Sequence, residues 1–204
     1  MEDLVIRELE NRDCVYLASL HAEYFTPSVV SAFGEGFLRS AYRGMRNSRY
    51  GKTILLTKGS ETLGFATIVY DESRFFREIL GKQGLTMAAL ILKSLLLHPR
   101  LLRNVLGAMR YPRYYSGLTK AELLTLIARE DRRGQGTGTL LVEEVVRLFR
   151  QAGVRKFKVS VKKDWTRAVE FYKKRGFELL GEVDDGKAGM LFFLFDTGKD
   201  VRHD

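Results

Sequence analysis

The chain has 204 residues, one cysteine, three histidines and a formal net charge of +9 on a 45% hydrophobic background. That apolar fraction excludes a wholly disordered chain, and the length fits one large domain. The lone Cys14 excludes an internal disulfide and a cysteine-built zinc site, and His21, His98 and His203 are too scattered for a local metal motif, so no metal is expected.

The opening MEDLVIRELENRD lacks a basic segment followed by an apolar core, which makes the cytoplasm the expected location. The positive charge is central. Residues 79–121 hold seven Lys or Arg and no Asp or Glu, and residues 122–175 hold 14 basic against 7 acidic side chains. Such a zone attracts nucleic acid, anionic lipid or an anionic cofactor. The cations are not interleaved with aromatics and form no recognition motif, so nucleic acid is not expected.

In chain order, residues 4–7 read as a strand. Asn11 or Asp13 then caps a helix carrying Val15, Leu17, Leu20 and His21 on one side. A second amphipathic helix follows Pro27, with Val30, Phe33, Phe37, Leu38 and Tyr42 at three- and four-residue steps. Residues 53–57 and 63–70 form a hairpin around KGSET.

Residues 71–116 read as a helical insertion, with a short helix at 75–80, a stretch apolar almost all round at 85–97, and a further helical piece opened by Pro99. A membrane-spanning helix needs about 20 apolar residues. Here Lys93 and His98-Pro99-Arg100 interrupt the run, so packing on the domain or over its cleft is expected, with peripheral membrane contact through 85–106 as the alternative. A strand at 122–128, a helix at 138–152, a strand at 156–161 and a helix at 166–174 follow. Residues 177–183 and 190–195 close the chain as a strand pair around DDGKAG. No linker interrupts this mixed α/β order, which predicts a single domain over 1–204.

The segment LLTLIAREDRRGQGTGTLLVEEVVRLF carries the chemistry. An apolar strand ends at Ala128, a glycine-rich turn follows, and a helix opens with Leu140, Leu141, Val145 and Leu148 on one face. Gly134, Gly136 and Gly138 remove Cβ atoms where a ligand approaches backbone. The helix N-terminus offers unpaired N–H groups to an anion, and Arg132 and Arg133 add charge. The loop lacks the Gly-Lys-Ser/Thr ending of a Walker motif and the G-x-G-x-x-G spacing of a dinucleotide fold. A phosphate or pyrophosphate cradle is the expectation.

Two motifs are similar to those of the GNAT acetyltransferase superfamily. Arg133-Gly134-Gln135-Gly136-Thr137-Gly138 resembles its R-x-x-G-x-G segment, and Ala168 through Phe177, AVEFYKKRGF, resembles its A-x-x-F-Y-x-K-x-G-F segment. The resemblance implies a mixed sheet of six to seven strands with flanking helices, the insertion lying between the third and fourth strands. It implies acetyl-CoA as co-substrate and an amine as acceptor, attacked directly in a ternary complex.

By the same resemblance, the backbone of Leu126, Ile127 and Ala128 would pair with the pantetheine arm, and amides from Arg133 through Thr139 would hold the pyrophosphate. Tyr172 stands at the position of the general acid. Glu122, on the strand leading to the cradle, is the candidate base. Where many relatives place an Asn, this chain has Trp165, whose indole N–H only donates, so stacking on the cofactor replaces a polar contact or the contact is lost. Tyr114, Tyr115, His21 and Glu23 are candidates for the acceptor cleft. A small-molecule, sugar-linked or lipid-linked amine fits a long apolar insertion, and a homodimer is compatible with the family. A long-chain acyl donor and a non-catalytic acyl-CoA-binding module are the alternatives.

Overall fold

The computed structural model describes residues 3–25, 31–99, 117–132, 134–183 and 189–203, with backbone only at 132. Seven strands form one sheet: β1 Leu4–Glu8, β2 Gly51–Lys58, β3 Glu61–Val69, β4 Glu122–Ala128, β5 Lys156–Lys162, β6 Glu178–Val183 and β7 Met190–Asp196. They lie in the order β1-β2-β3-β4-β5-β7-β6. Neighbours are antiparallel except β4 and β5, which run parallel. The helices are α1 Asp13–Tyr24, α2 Glu35–Met45, α3 Glu72–Leu97, α4 Thr137–Gln151 and α5 Thr166–Lys174.

Strand alternation splits the apolar residues between two faces. On one face Ile54, Leu56, Ala66, Ile68, Leu123, Phe157 and Val159 pack against Leu141, Val145 and Phe149 of α4 and Val169 and Tyr172 of α5. On the other, Leu55, Phe65 and Ile127 meet Leu17 of α1 and Leu38 and Tyr42 of α2. Val69, Phe37, Ala41, Phe75 and Ile79 extend that second core beneath α3. Gly64 is needed where β3 passes β4 and α4. A Cβ there would stand 2.5 Å from the Ile127 carbonyl oxygen and 3.1 Å from Leu141 and Thr137.

Three expectations change. Residues 72–97 form one continuous helix, α3, in place of the pieces expected at 75–80 and 85–97, because Gly81 and Gly84 stay helical inside it. An isolated glycine costs a helix only about 1 kcal/mol, and the packed Phe75, Ile79 and Met87 outweigh that. The second helix starts at Glu35, after a 3-10 turn at Ser31–Phe33. Neither Asn11 nor Asp13 caps α1. Arg12 stands at its N-cap without a side-chain bond, and Asp13 instead accepts from Arg7 and from the Glu10 N–H at 2.8 Å. The helical piece expected after Pro99 and the turn at 184–188 lie outside the described residues.

Candidate active site

The sheet has one open seam. β4 and β5 are bridged only at Glu122 and Lys158, with the Lys158 N–H donating to the Ala121 carbonyl at 3.0 Å. Beyond that pair the strands part. The register of β4 against β3 slips between Thr67 and Ile68, placing an extra residue, Leu124, in β4. Such a bulge bends its strand and raises its twist, which carries Leu126, Ile127 and Ala128 away from β5. Their β5-facing backbone groups form an edge inside the sheet, suited to an added extended ligand.

A cavity of about 80 Å³ occupies the seam, lined by Leu124, Leu126, Ser160, Trp165 and Tyr172 among others. Phe25 and Trp165 close one side, their ring centroids 5.2 Å apart, and the Lys162 ammonium sits 5.0 Å from the indole centroid. Tyr172 is buried against Phe171 and Phe177. Burial pushes its pKa up, so the phenol keeps its proton.

The glycine turn adjoins the seam. Gly134 and Gly136 have φ of +75° and +81°, which L side chains rarely adopt, and nothing lies within 4 Å of where their Cβ atoms would stand. Gly136 is the N-cap of α4, whose first turn holds no acidic residue. The first-turn N–H groups, including those of Thr137, Gly138 and Thr139, lack intrahelical partners. The open space and these donors fit a phosphate chain. Gly138 serves packing, since its Cβ would come within 3.3 Å of the Phe171 ring. Gln135 folds back toward the Asp131 carbonyl at 3.4 Å. Arg129 is held by Glu61 at 2.7 Å and Asp131 at 2.9 Å, and the Glu130 N–H donates to the Tyr24 hydroxyl at 2.7 Å. Those bonds brace the loop from β3 and α1. Arg133 lies outside the described residues.

At the closed end of the seam sits a buried charge cluster. Glu122 is 6% exposed and Lys158 4%. The Lys158 ammonium lies 2.9 Å from Glu72 Oε2 and 3.4 Å from Glu122 Oε2, and the Ser160 hydroxyl donates to Glu122 Oε1 at 3.1 Å. Burial, helped by the Glu72 carboxylate, lifts Glu122 to about 7 against the opposing pull of Lys158 and Ser160. The two carboxylates hold the Lys158 pKa above its ordinary value despite its burial.

The seam thus unites Leu126, Trp165 and Tyr172 at one cavity, and the glycine turn that follows β4 meets α5 where Gly138 faces the Phe171 ring. Glu122 does not line the cavity and reaches it through Ser160, which does. Ser160, Lys158 and Glu72 were not singled out in the sequence. The signal available was the alternation KFKVSVK, which puts Lys158 and Ser160 on one strand face. His21 lies apart, its Nδ1 2.8 Å from the Tyr42 hydroxyl and its ring 4.7 Å from Phe25. Glu23 is exposed and is not among the residues that line the cavity, and Tyr114 and Tyr115 fall outside the described residues.

A mixed sheet opened between two parallel strands, with a glycine turn feeding a helix at the opening, defines the GNAT fold of acetyltransferases. Residues 95–177, somewhat less than half of the chain, match the model of the Acetyltransferase (GNAT) family. No curated protein sequence matches the chain significantly.

Solved structures share the fold at low identity. NAA60 of Arabidopsis thaliana, in complex with acetyl-CoA, is 16% identical with a TM-score of 0.61, over 97% of this chain and 100% of that one. Ard1 from Thermoplasma volcanium is 16% identical with a TM-score of 0.61, over 95% and 97%. The ribosomal-protein-alanine N-acetyltransferase from Brucella melitensis is 13% identical with a TM-score of 0.61, over 94% and 99%.

Proposed function

We propose that the protein transfers an acetyl group from acetyl-CoA to a primary amine by direct attack in a ternary complex. The observation that carries this reading is the β4–β5 seam, bridged only at Glu122 and Lys158, with a cavity that Tyr172 and Ser160 both line. The free β4 edge suits the amide-bearing pantetheine arm, and the Gly134–Thr139 turn suits the pyrophosphate.

An amine reaches the thioester as an ammonium ion and must lose a proton before its lone pair can attack. Ser160 Oγ, at the cavity wall, receives that proton as its own passes to Glu122 Oε1. The nitrogen then bonds to the carbonyl carbon, the C–S bond breaks, the Tyr172 hydroxyl supplies a proton to the departing thiolate, and the second proton that the new amide nitrogen sheds restores the Tyr172 phenol. A phenol that burial keeps protonated is available for this step. The Phe25–Trp165 closure and a cavity of about 80 Å³ favour a short acyl group over a long chain.

The experiment is acetyl-CoA turnover followed by release of free thiol, screened over amino sugars, polyamines, amino acids and peptides with free N-termini. Acceptor-dependent thiol release that falls at least about a hundredfold in Tyr172→Phe supports the assignment. Tight acetyl-CoA binding with no turnover on any amine would favour a binding module instead.

A further inference from the structure

The outward face of α3 is not used by the fold. Leu85, Ala89, Leu92 and Leu96 are all exposed and recur at positions i, i+4, i+7 and i+11, which aligns them on one side of the helix. Leu85 is 92% and Leu96 75% exposed. An 18-residue window of this helix has a mean hydropathy of 1.3, yet only 11% of that window is buried. A core helix of such composition would be buried almost throughout.

We infer that α3 docks this protein on an anionic phospholipid surface. Charge selects this occupant. From residue 79 to residue 121 the chain has seven cations and no acid, and Lys93 is exposed beside the leucine stripe. An apolar face flanked by cations is what an interfacial helix presents to acidic headgroups. A second copy of the chain would bring the same acid-free segment against itself, with like charges opposed.

The helix lies along the surface rather than crossing it. Hydrogen bonds hold it to α2 and its flanks along its length. Ser48 Oγ donates to Glu78 at 2.6 Å, Ser40 Oγ to Gln83 at 3.0 Å, and Ser94 Oγ to the Phe33 carbonyl at 3.3 Å. Leaving the fold to span a bilayer would break these bonds and expose Phe75, Ile79 and Met87. The first turn of the same helix carries Glu72, bonded to Lys158 beside Glu122, so docking would bring the seam close to the bilayer surface.

The test is co-sedimentation of the full chain with vesicles of pure phosphatidylcholine and with vesicles holding about 30% phosphatidylglycerol. The wild type should pellet with the anionic vesicles, and about 0.5 M salt should weaken that binding. Leu85→Gln, Leu92→Gln and Leu96→Gln combined should lower the partition coefficient at least about tenfold. The combined variant should keep the wild-type circular dichroism and melting temperature, because these side chains make no packing contacts that folding needs. Lys93→Glu, which spares every leucine, should weaken binding to anionic vesicles alone. A wild type that stays in the supernatant with both vesicle types, or a triple glutamine variant that pellets like wild type, overturns the proposal. So does a lipid-free dimer in sedimentation velocity that the same substitutions abolish, which would assign the face to a second copy.

Discussion

Ser160 stands between a cavity that would hold the acceptor and a carboxylate that cannot reach it directly. Replacing it with alanine removes the hydroxyl that joins the two. Ser160→Ala should therefore lower kcat at least about tenfold with little change in KM for acetyl-CoA, measured by thiol release. Glu122 accepts the proton only when ionised, so the rate should rise with pH through about 7. Lys158 favours the ionised form, and Glu72 opposes it. Lys158→Met removes the favourable charge and leaves the buried Glu122 carboxylate facing the half-buried one of Glu72. The midpoint should then move up by about one pH unit or more, while Lys158→Arg holds it near the wild-type value. A carboxyl NMR titration of Glu122 reads the same shift without any acceptor. A midpoint unmoved in Lys158→Met would remove Lys158 from control of the base.

Among the elements, α1 and α2 are joined by a polar bond inside an apolar layer. His21 Nδ1 and the Tyr42 hydroxyl lie 2.8 Å apart, and burial lowers the His21 pKa from 6.5 to about 4. The unfolded chain therefore binds a proton that the folded chain refuses between those values. Stability from this group is present above about pH 6.5 and is lost as pH falls toward 4, by up to about 3 kcal/mol. His21→Phe should flatten that part of the acid limb in urea melts between pH 4 and 7; an unchanged slope would mean the imidazole titrates normally.

The close crossing of β3 and β4 gives a second test at this scale. Gly64→Ala puts a methyl group 2.5 Å from the Ile127 carbonyl oxygen and should cost several kcal/mol, visible as a lower melting temperature.

Much at the scale of elements could be read in the sequence, because period and turn residues report on local structure. The helix at 166–174 and the strands matched within a few residues, and the glycine spacing marked the turn where Gly134 and Gly136 take positive φ. What the sequence hid was set by pairing across strands. Gly81 and Gly84 look like helix breaks until the packing of Phe75, Ile79 and Met87 is seen. Glu122 reads as a base near the cleft, but the cluster it forms with Lys158, Glu72 and Ser160 joins residues 36 to 86 positions apart. Likewise Phe25 and Trp165 meet across the seam from separate helices, a closure that no local pattern encodes.

For the molecule as a whole, the seam is the one break in an otherwise continuous seven-stranded sheet. On the side of β1 to β4, α1 to α3 cover one face; beyond the seam, β5, β7 and β6 make the other half, joined through Glu122–Lys158 and the helices that bridge the back. An extended ligand on the β4 edge would replace missing strand contacts, and its phosphates would complete the first turn of α4. Binding should thus stabilise both halves together rather than one loop. At a hundredfold excess over Kd the gain is about 2.7 kcal/mol, which for a chain of this size raises the melting temperature by roughly 5–10 °C. The rise should be largest for acetyl-CoA and smaller for pantetheine, which lacks the pyrophosphate. In Gly136→Asp, where a carboxylate fills the cradle, it should vanish. Hydrogen exchange then locates the effect: amides of Leu126 to Ala128 and of Thr137 to Thr139 should slow together on acetyl-CoA binding. Slowing confined to the glycine turn would mean that phosphate alone is held and that the β4 edge stays unpaired.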